Sequence, residues 1–159
     1  MTIDMSINAW QRQHVVKQNG EWTVDGRPIV SIKITQRRNP LNMPNLTWLT
    51  LVITAPGGAA TPPHTHNGAS IIATIIKGKM LNQMVHDGRY GHSEGPKIYE
   101  QGESWYEAPG CHHVRSENVG EDGAEAVFVA SLVIEGEKVD GADGDEELLQ
   151  RVFLLDADA

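Results

Sequence analysis

Apolar and polar positions alternate along this chain in short runs, each cut off by glycine, proline or an Asx-Gly pair. Between Pro28 and Thr35, Val30, Ile32 and Ile34 alternate with Ile29, Ser31 and Lys33, the period-2 pattern of a strand with one wet face. The same reading predicts strands at Glu21–Val24, Thr47–Ala55, Ile71–Ile76, Lys79–His86, Lys97–Glu100, Ser104–Glu107, Cys111–Arg115 and Glu125–Ile134. Turn signals sit between them, among them Asn19-Gly20, Asp25-Gly26, Asp87-Gly88 and Pro109-Gly110. Residues 36–46 and 89–96 read as loops, and Ser6 to His14 as a short helix. About ten closely spaced strands with no long helical period predict an all-β single domain, a barrel or sandwich. Residues 1–46 are expected to supply an N-terminal arm and the first strands, 47–134 the barrel core, and 135–159 an acidic linker and a C-terminal element packing on the barrel. Leu148 to Leu155 suits either a short helix or an edge strand.

Composition narrows the function. At 159 residues, the chain can bury about two thirds of its unfolded surface without a disulfide. Cys111 is the single cysteine, so no intrachain disulfide forms and a reducing cytoplasm is expected. The opening MTIDMSINAWQRQ has no basic start followed by an apolar core, and no signal peptide is expected. A net charge of −8 argues against nucleic acid or an anionic membrane as partner. Glu135 to Glu147 carries seven carboxylates against Lys138 alone, but not at EF-hand spacing, so it reads as a solvated linker.

The chemistry concentrates in two segments. In Gly58 to Gly78, GAATPPHTHNGASIIATIIKG, His64 and His66 stand at i and i+2, so both rings project from one face of an extended chain and can meet at one metal ion. Pro62-Pro63 stiffens the approach. In Gly102 to Asn118, GESWYEAPGCHHVRSEN, a Pro-Gly turn leads into His112 and His113, which would bring a third imidazole from a neighbouring strand. Adjacent strand residues face opposite ways, so one of the pair points inward unless the strand bulges. Arg115 shares the parity of His113 and could reach the cavity to hold an anion. Glu107 is a candidate general base beside the metal. Trp105 and Tyr106 lie on opposite faces, so one lines the barrel, and Trp48, Ile71 and Ile75 are assigned to an apolar interior pocket. Cys111 is expected to be a small buried residue rather than a nucleophile.

These two segments resemble the paired motifs of the cupin superfamily, the first of form G-x5-H-x-H-x(3,4)-E-x6-G and the second of form G-x5-P-x-G-x2-H-x3-N. The first matches at Gly58, His64, His66 and Gly78; the second at Gly102, Gly110 and His113, with Pro109 and Asn118 each one place late. The resemblance covers roughly Leu49 to Val133 and implies a double-stranded β-helix, a jelly-roll barrel, with a homodimer as the expected assembly. It selects His113 as third ligand and leaves His112 outside the barrel or in a dimer contact, as a possible additional residue. The usual glutamate ligand falls on Ile71, or on Ser70 with shortened spacing, and neither replaces a carboxylate.

A three-histidine site is therefore implied, as in cupins that resemble thiol and diketone-cleaving dioxygenases. Neutral ligands leave the metal's dipositive charge uncompensated, which favours an anionic chelating ligand. The expected cofactor is a divalent ion, Fe(II) first, with Zn, Mn or Ni as alternatives. The expected function is a dioxygenase-type reaction on a small oxygen-rich molecule such as a 1,3-dicarbonyl, a phenol or a polyketide-like compound. A non-oxidative isomerase, cyclase or lyase and a non-catalytic ligand-binding barrel are the alternatives.

Overall fold

The computed structural model describes residues 14–86 and 93–156. The strands are β1 (Val15–Gln18), β2 (Glu21–Val24), β3 (Ser31–Arg38), β4 (Leu46–Ala55), β5 (Ala60–Thr61), β6 (His64–Thr65) and β7 (Ser70–Lys77). They continue with β8 (Met80–Val85), β9 (Glu94–Tyr99), β10 (Ser104–Glu107), β11 (His112–Asn118), β12 (Ala126–Glu135) and β13 (Leu154–Leu155). One helix, α1 (Gly144–Val152), and a 3-10 turn at Gly136–Lys138 lie near the end.

β1 and β2 form a small hairpin. The remaining strands make two antiparallel sheets. One runs β10-β7-β12-β4-β3, and the other runs β13-β6-β11-β8-β9 with β5 also on β11. This is the expected all-β jelly-roll barrel. Period-2 alternation decides which side chains fill it. Along β4, Leu49, Leu51, Ile53 and Ala55 are buried while Trp48, Thr50, Val52 and Thr54 face outward. β12 repeats the arrangement with Ala126, Phe128, Ala130, Leu132 and Ile134 inside. Between β7 and β8 the chain reverses at Gly78 (φ +81°), where a Cβ would stand 2.8 Å from the Glu125 carbonyl oxygen, so only glycine fits.

Several sequence readings need correction. Gln36–Arg38 continue β3 and Glu94–Pro96 begin β9, where loops were expected, because their backbone groups find ladder partners on β4 and β8. The segment from Leu148 to Leu155 is both a helix and an edge strand rather than one of them. The acidic stretch is not merely a solvated linker: it carries the 3-10 turn and the first turn of α1, and Val139 within it is fully buried. The helix read at Ser6–His14 and the Asp87-Gly88 turn lie outside the described residues, apart from His14.

Candidate metal centre

His64 sits in the two-residue strand β6 and His66 just beyond it, and β6 pairs with β11 so that His64 lies directly opposite His113. The three rings converge, with centroids 4.7 Å (His64–His66), 5.0 Å (His64–His113) and 6.1 Å (His66–His113) apart. One nitrogen from each lies within 4.8 Å of the others, and all three residues are buried. The Pro62 carbonyl accepts a 2.7 Å hydrogen bond from His64 Nδ1, which fixes the tautomer and leaves Nε2 with a lone pair to offer. Burial, helped by the neighbouring His66 and His113, holds His64 well below its ordinary pKa. Burial likewise lowers His66 to about 4. At neutral pH both rings are uncharged, the state that ligates a metal.

Glu107 completes the cluster. β10 pairs with β7 in a register that sets Glu107 opposite Ile71, so a carboxylate missing from one strand is present on the next. Glu107 Oε1 lies 3.0 Å from His113 Nδ1 and 3.9 Å from His66 Nδ1. It is shut off from solvent and accepts no hydrogen bond of acceptable geometry. On its other side His113 places Nε2 2.7 Å from Asn82 Oδ1. A neutral imidazole has one N–H and cannot satisfy two acceptors. Burial alone would raise the Glu107 pKa, but the His113, His66 and His64 imidazoles bring it down, well below the usual carboxylate range. Three imidazoles thus form a donor set that fits a divalent metal ion, with a buried carboxylate oxygen 3.0 Å from one of them.

The cluster opens on a cavity of about 660 Å³ bounded by both sheets, the β1–β2 hairpin and α1. Ile71 and Trp105 line it with Glu107, while Ile75 is buried in the core but lies off the wall. Trp48 and Tyr106 are not interior residues. They are 43% and 57% exposed on the outer face of the five-stranded sheet, because strand parity sets them opposite Leu49 and Trp105, and Trp48 Nε1 donates to Ser131 Oγ there. Ser70 shares that outer face and lines a shallow depression with them.

Arg115 also falls elsewhere than its parity predicts. The pairing of β11 with β8 shifts register between His113 and Arg115, so Val114 is the extra residue of a bulge and alternation slips by one place. Ser116 takes the wall position, and buried Arg115 pairs with Glu117, which also binds Arg27. His112 points away from the cluster to Asp156, 2.8 Å from its carboxylate. Burial and then the Glu107 charge push the Cys111 thiol up to about 12, as suits an unreactive core residue.

Sequence reasoning missed Asn82 and Phe153. The Phe153 ring lies 5.8 Å from His64 and 5.3 Å from His66. It arrives there because β13 pairs with β6, Asp156 N–H donates to the Pro63 carbonyl, and Asn67 Nδ2 donates to the Arg151 carbonyl. The apolar run ending at Leu155 signalled a packing element, but nothing local named its target.

A family model described as "Cupin" matches residues 29–158. Germin-like protein subfamily 1 member 3 from Arabidopsis thaliana is 32% identical over 129 residues, covering 74% of this chain and 56% of its own length. This chain therefore spans about half the length of the curated relatives it matches. Among solved structures, peruvianin-I, a cysteine peptidase from Thevetia peruviana latex, superposes with a TM-score of 0.53 at 22% identity, over 68% of this chain and 64% of that one. Oxalate oxidase superposes at 0.50 and 19% identity, over 77% and 64%. These likenesses are of fold.

Proposed function

This chain belongs to the cupin family, and from that premise we propose that it is a metal-dependent enzyme acting on a small oxygen-rich organic molecule by a dioxygenase-type reaction. One observation carries the reading: three buried imidazoles and an unsatisfied carboxylate oxygen converge at a cavity large enough for an organic ligand. His64, His66 and His113 would hold a divalent ion, Fe(II) in this reading. Such an ion, when bound, supplies Lewis-acid or dioxygen chemistry at the open side of the cluster. The chain's own residues do the rest. The apolar wall excludes water from the reacting atoms. Glu107, on the wall beside His113, can accept a proton at a carboxylate oxygen from an enol or phenol as the ligand becomes an anion. Substrates of the 1,3-dicarbonyl, phenolic or polyketide-like type meet these demands, since each offers an acidic O–H whose oxygen can bind a metal once the proton is lost.

The position of the same carboxylate on the wall favours a second reading, proton transfer without oxygen use, giving isomerisation, cyclisation or elimination with Zn, Mn or Ni in place of iron. Metal analysis of protein purified without added metal, followed by oxygen uptake with a panel of β-diketones and phenols, separates the two. Oxygen consumption that disappears in His64→Ala supports the first. Product formed under argon supports the second, and tight binding with no turnover in either atmosphere leaves a binding protein.

A further inference from the structure

We infer that the ligand of this centre is a chelator with an uncharged, apolar body of aryl or medium-chain alkyl type, and that small dianions such as oxalate are refused; this deepens, and rests on, the metal-centre reading above. A chelating head needs only the few atoms that reach the histidines, yet the cavity holds about 660 Å³, within the range of sites that enclose a drug-sized molecule. The space beyond the histidines is bounded by Ile53, Ile71, Phe128 and Leu132, and the small side chains of Ala73 and Ala130 leave it open.

The charges on the wall point the same way. Among the described residues Lys17 is the one lysine or arginine lining the cavity, and it is exposed at the rim with Glu21 and Glu146 nearby on the lining, both exposed. The acidic side chain buried deep on the wall is Glu107, and no lysine or arginine accompanies it there. Thr61, Ser116 and Gln150 are the neutral polar wall groups. Two buried or half-buried arginines stand close by in the fold, but the bulge at Val114 keeps Arg115 off the wall and Arg27 joins it on Glu117. A small dianion such as oxalate would therefore bring two carboxylates to a wall with no lysine or arginine deep inside, and would leave the apolar space unfilled. An aryl or alkyl body removes apolar surface from water at the same place.

The test uses zinc-loaded wild-type protein, so that no oxygen chemistry intervenes, titrated calorimetrically with pentane-2,4-dione, 1-phenylbutane-1,3-dione, 1,3-diphenylpropane-1,3-dione and oxalate. Affinity, taken relative to each probe's affinity for free zinc, should rise about tenfold or more from the dimethyl to the diaryl probe, with oxalate weakest. Ala73→Phe and Ala130→Phe fill the body space and should shrink the diaryl-to-dimethyl ratio about tenfold. If either variant fails to fold, the wild-type series alone decides. Oxalate binding as well as the diaryl probe, or a flat wild-type series, overturns the apolar body while leaving the metal centre standing. No zinc uptake by the wild type defeats the metal centre itself, and the ligand proposal with it.

Discussion

The two histidine-bearing segments reach the same point by different means. In the first, His64 and His66 are two apart, so the extended backbone aims both rings inward and the Pro62 carbonyl orients one of them. In the second, His112 and His113 are adjacent, and the same geometry forces them apart: His113 joins the cluster, while His112 latches onto Asp156 on the other face. The first segment is built for donation alone. The second divides its histidines between a site and a surface tie, and its inward ring lies against the Asn82 side chain, with Glu107 Oε1 3.0 Å away, instead of against backbone. Equal-looking dipeptide chemistry is thus separated by one residue of spacing.

Replacing the inward rings tests that division most severely. His64→Ala, His66→Ala and His113→Ala should each abolish uptake of stoichiometric divalent metal, read by elemental analysis after dialysis, while His112→Ala retains it. Loss of metal in His112→Ala equal to that in His113→Ala would break the contrast. A thermal shift should show the same division: metal at a hundred times its Kd is expected to add about 2.7 kcal/mol to wild-type stability, and nothing to the three inward variants.

The next effect is acid sensitivity of the metal-free protein, and it belongs to the first segment. The folded state holds His66 near 4 against an ordinary 6.5. Above 6.5 neither state is protonated there and stability is level. As the pH falls from about 6.5 to about 4, the unfolded chain takes up a proton that the folded one refuses, so stability drops, by about 3 kcal/mol at most from this group. Urea unfolding midpoints across that window check it, and His66→Gln should flatten the slope. An unchanged slope in that variant places the acid response elsewhere.

Glu107→Gln comes third. The amide keeps the shape of the side chain but removes the charge beside His113 and His66. Metal affinity should fall about 10- to 100-fold, the usual cost of losing a partner that orients a ligand, measured by competition with a chromogenic chelator. Affinity equal to that of the wild type would mean that the carboxylate serves something other than the cluster.

How much of this was legible beforehand follows from range. Strand parity is local, so Leu49, Leu51 and Ile53 on one face of β4 and the inward pair His64 and His66 could be read from spacing alone. Trp48 lies on the outer face against expectation, although the alternation of TWLTLVITA already sets it opposite Leu49. Arg115 went wrong for a deeper reason. Val114 is an ordinary strand residue, and the bulge that it forms exists only against the partner β8, so no local rule shifts the parity at that point. The role of Glu107 has the same character: that it faces Ile71 is a fact about two strands some 35 residues apart, set by the ladder between them. Phe153 over the histidines depends likewise on where β13 docks.

The smallest effect concerns the outward histidine. His112 Nε2 and Asp156 are partly exposed, at 27% and 41%, so water screens the contact and it should contribute no more than about 1 kcal/mol. Its position makes it informative all the same, since Asp156 also donates its backbone N–H to the Pro63 carbonyl and thereby ties β13 beside His64. Asp156→Asn keeps that backbone bond and removes the side-chain charge. If the second segment divides its histidines as the structure indicates, Asp156→Asn and His112→Ala lower the melting temperature by similar small amounts, the double variant adds little to either, and metal affinity stays within about twofold in all three. A fall in metal affinity as large as that in Glu107→Gln would instead show that the outward tie positions the inward ring, and the two histidines of β11 would then act as one unit.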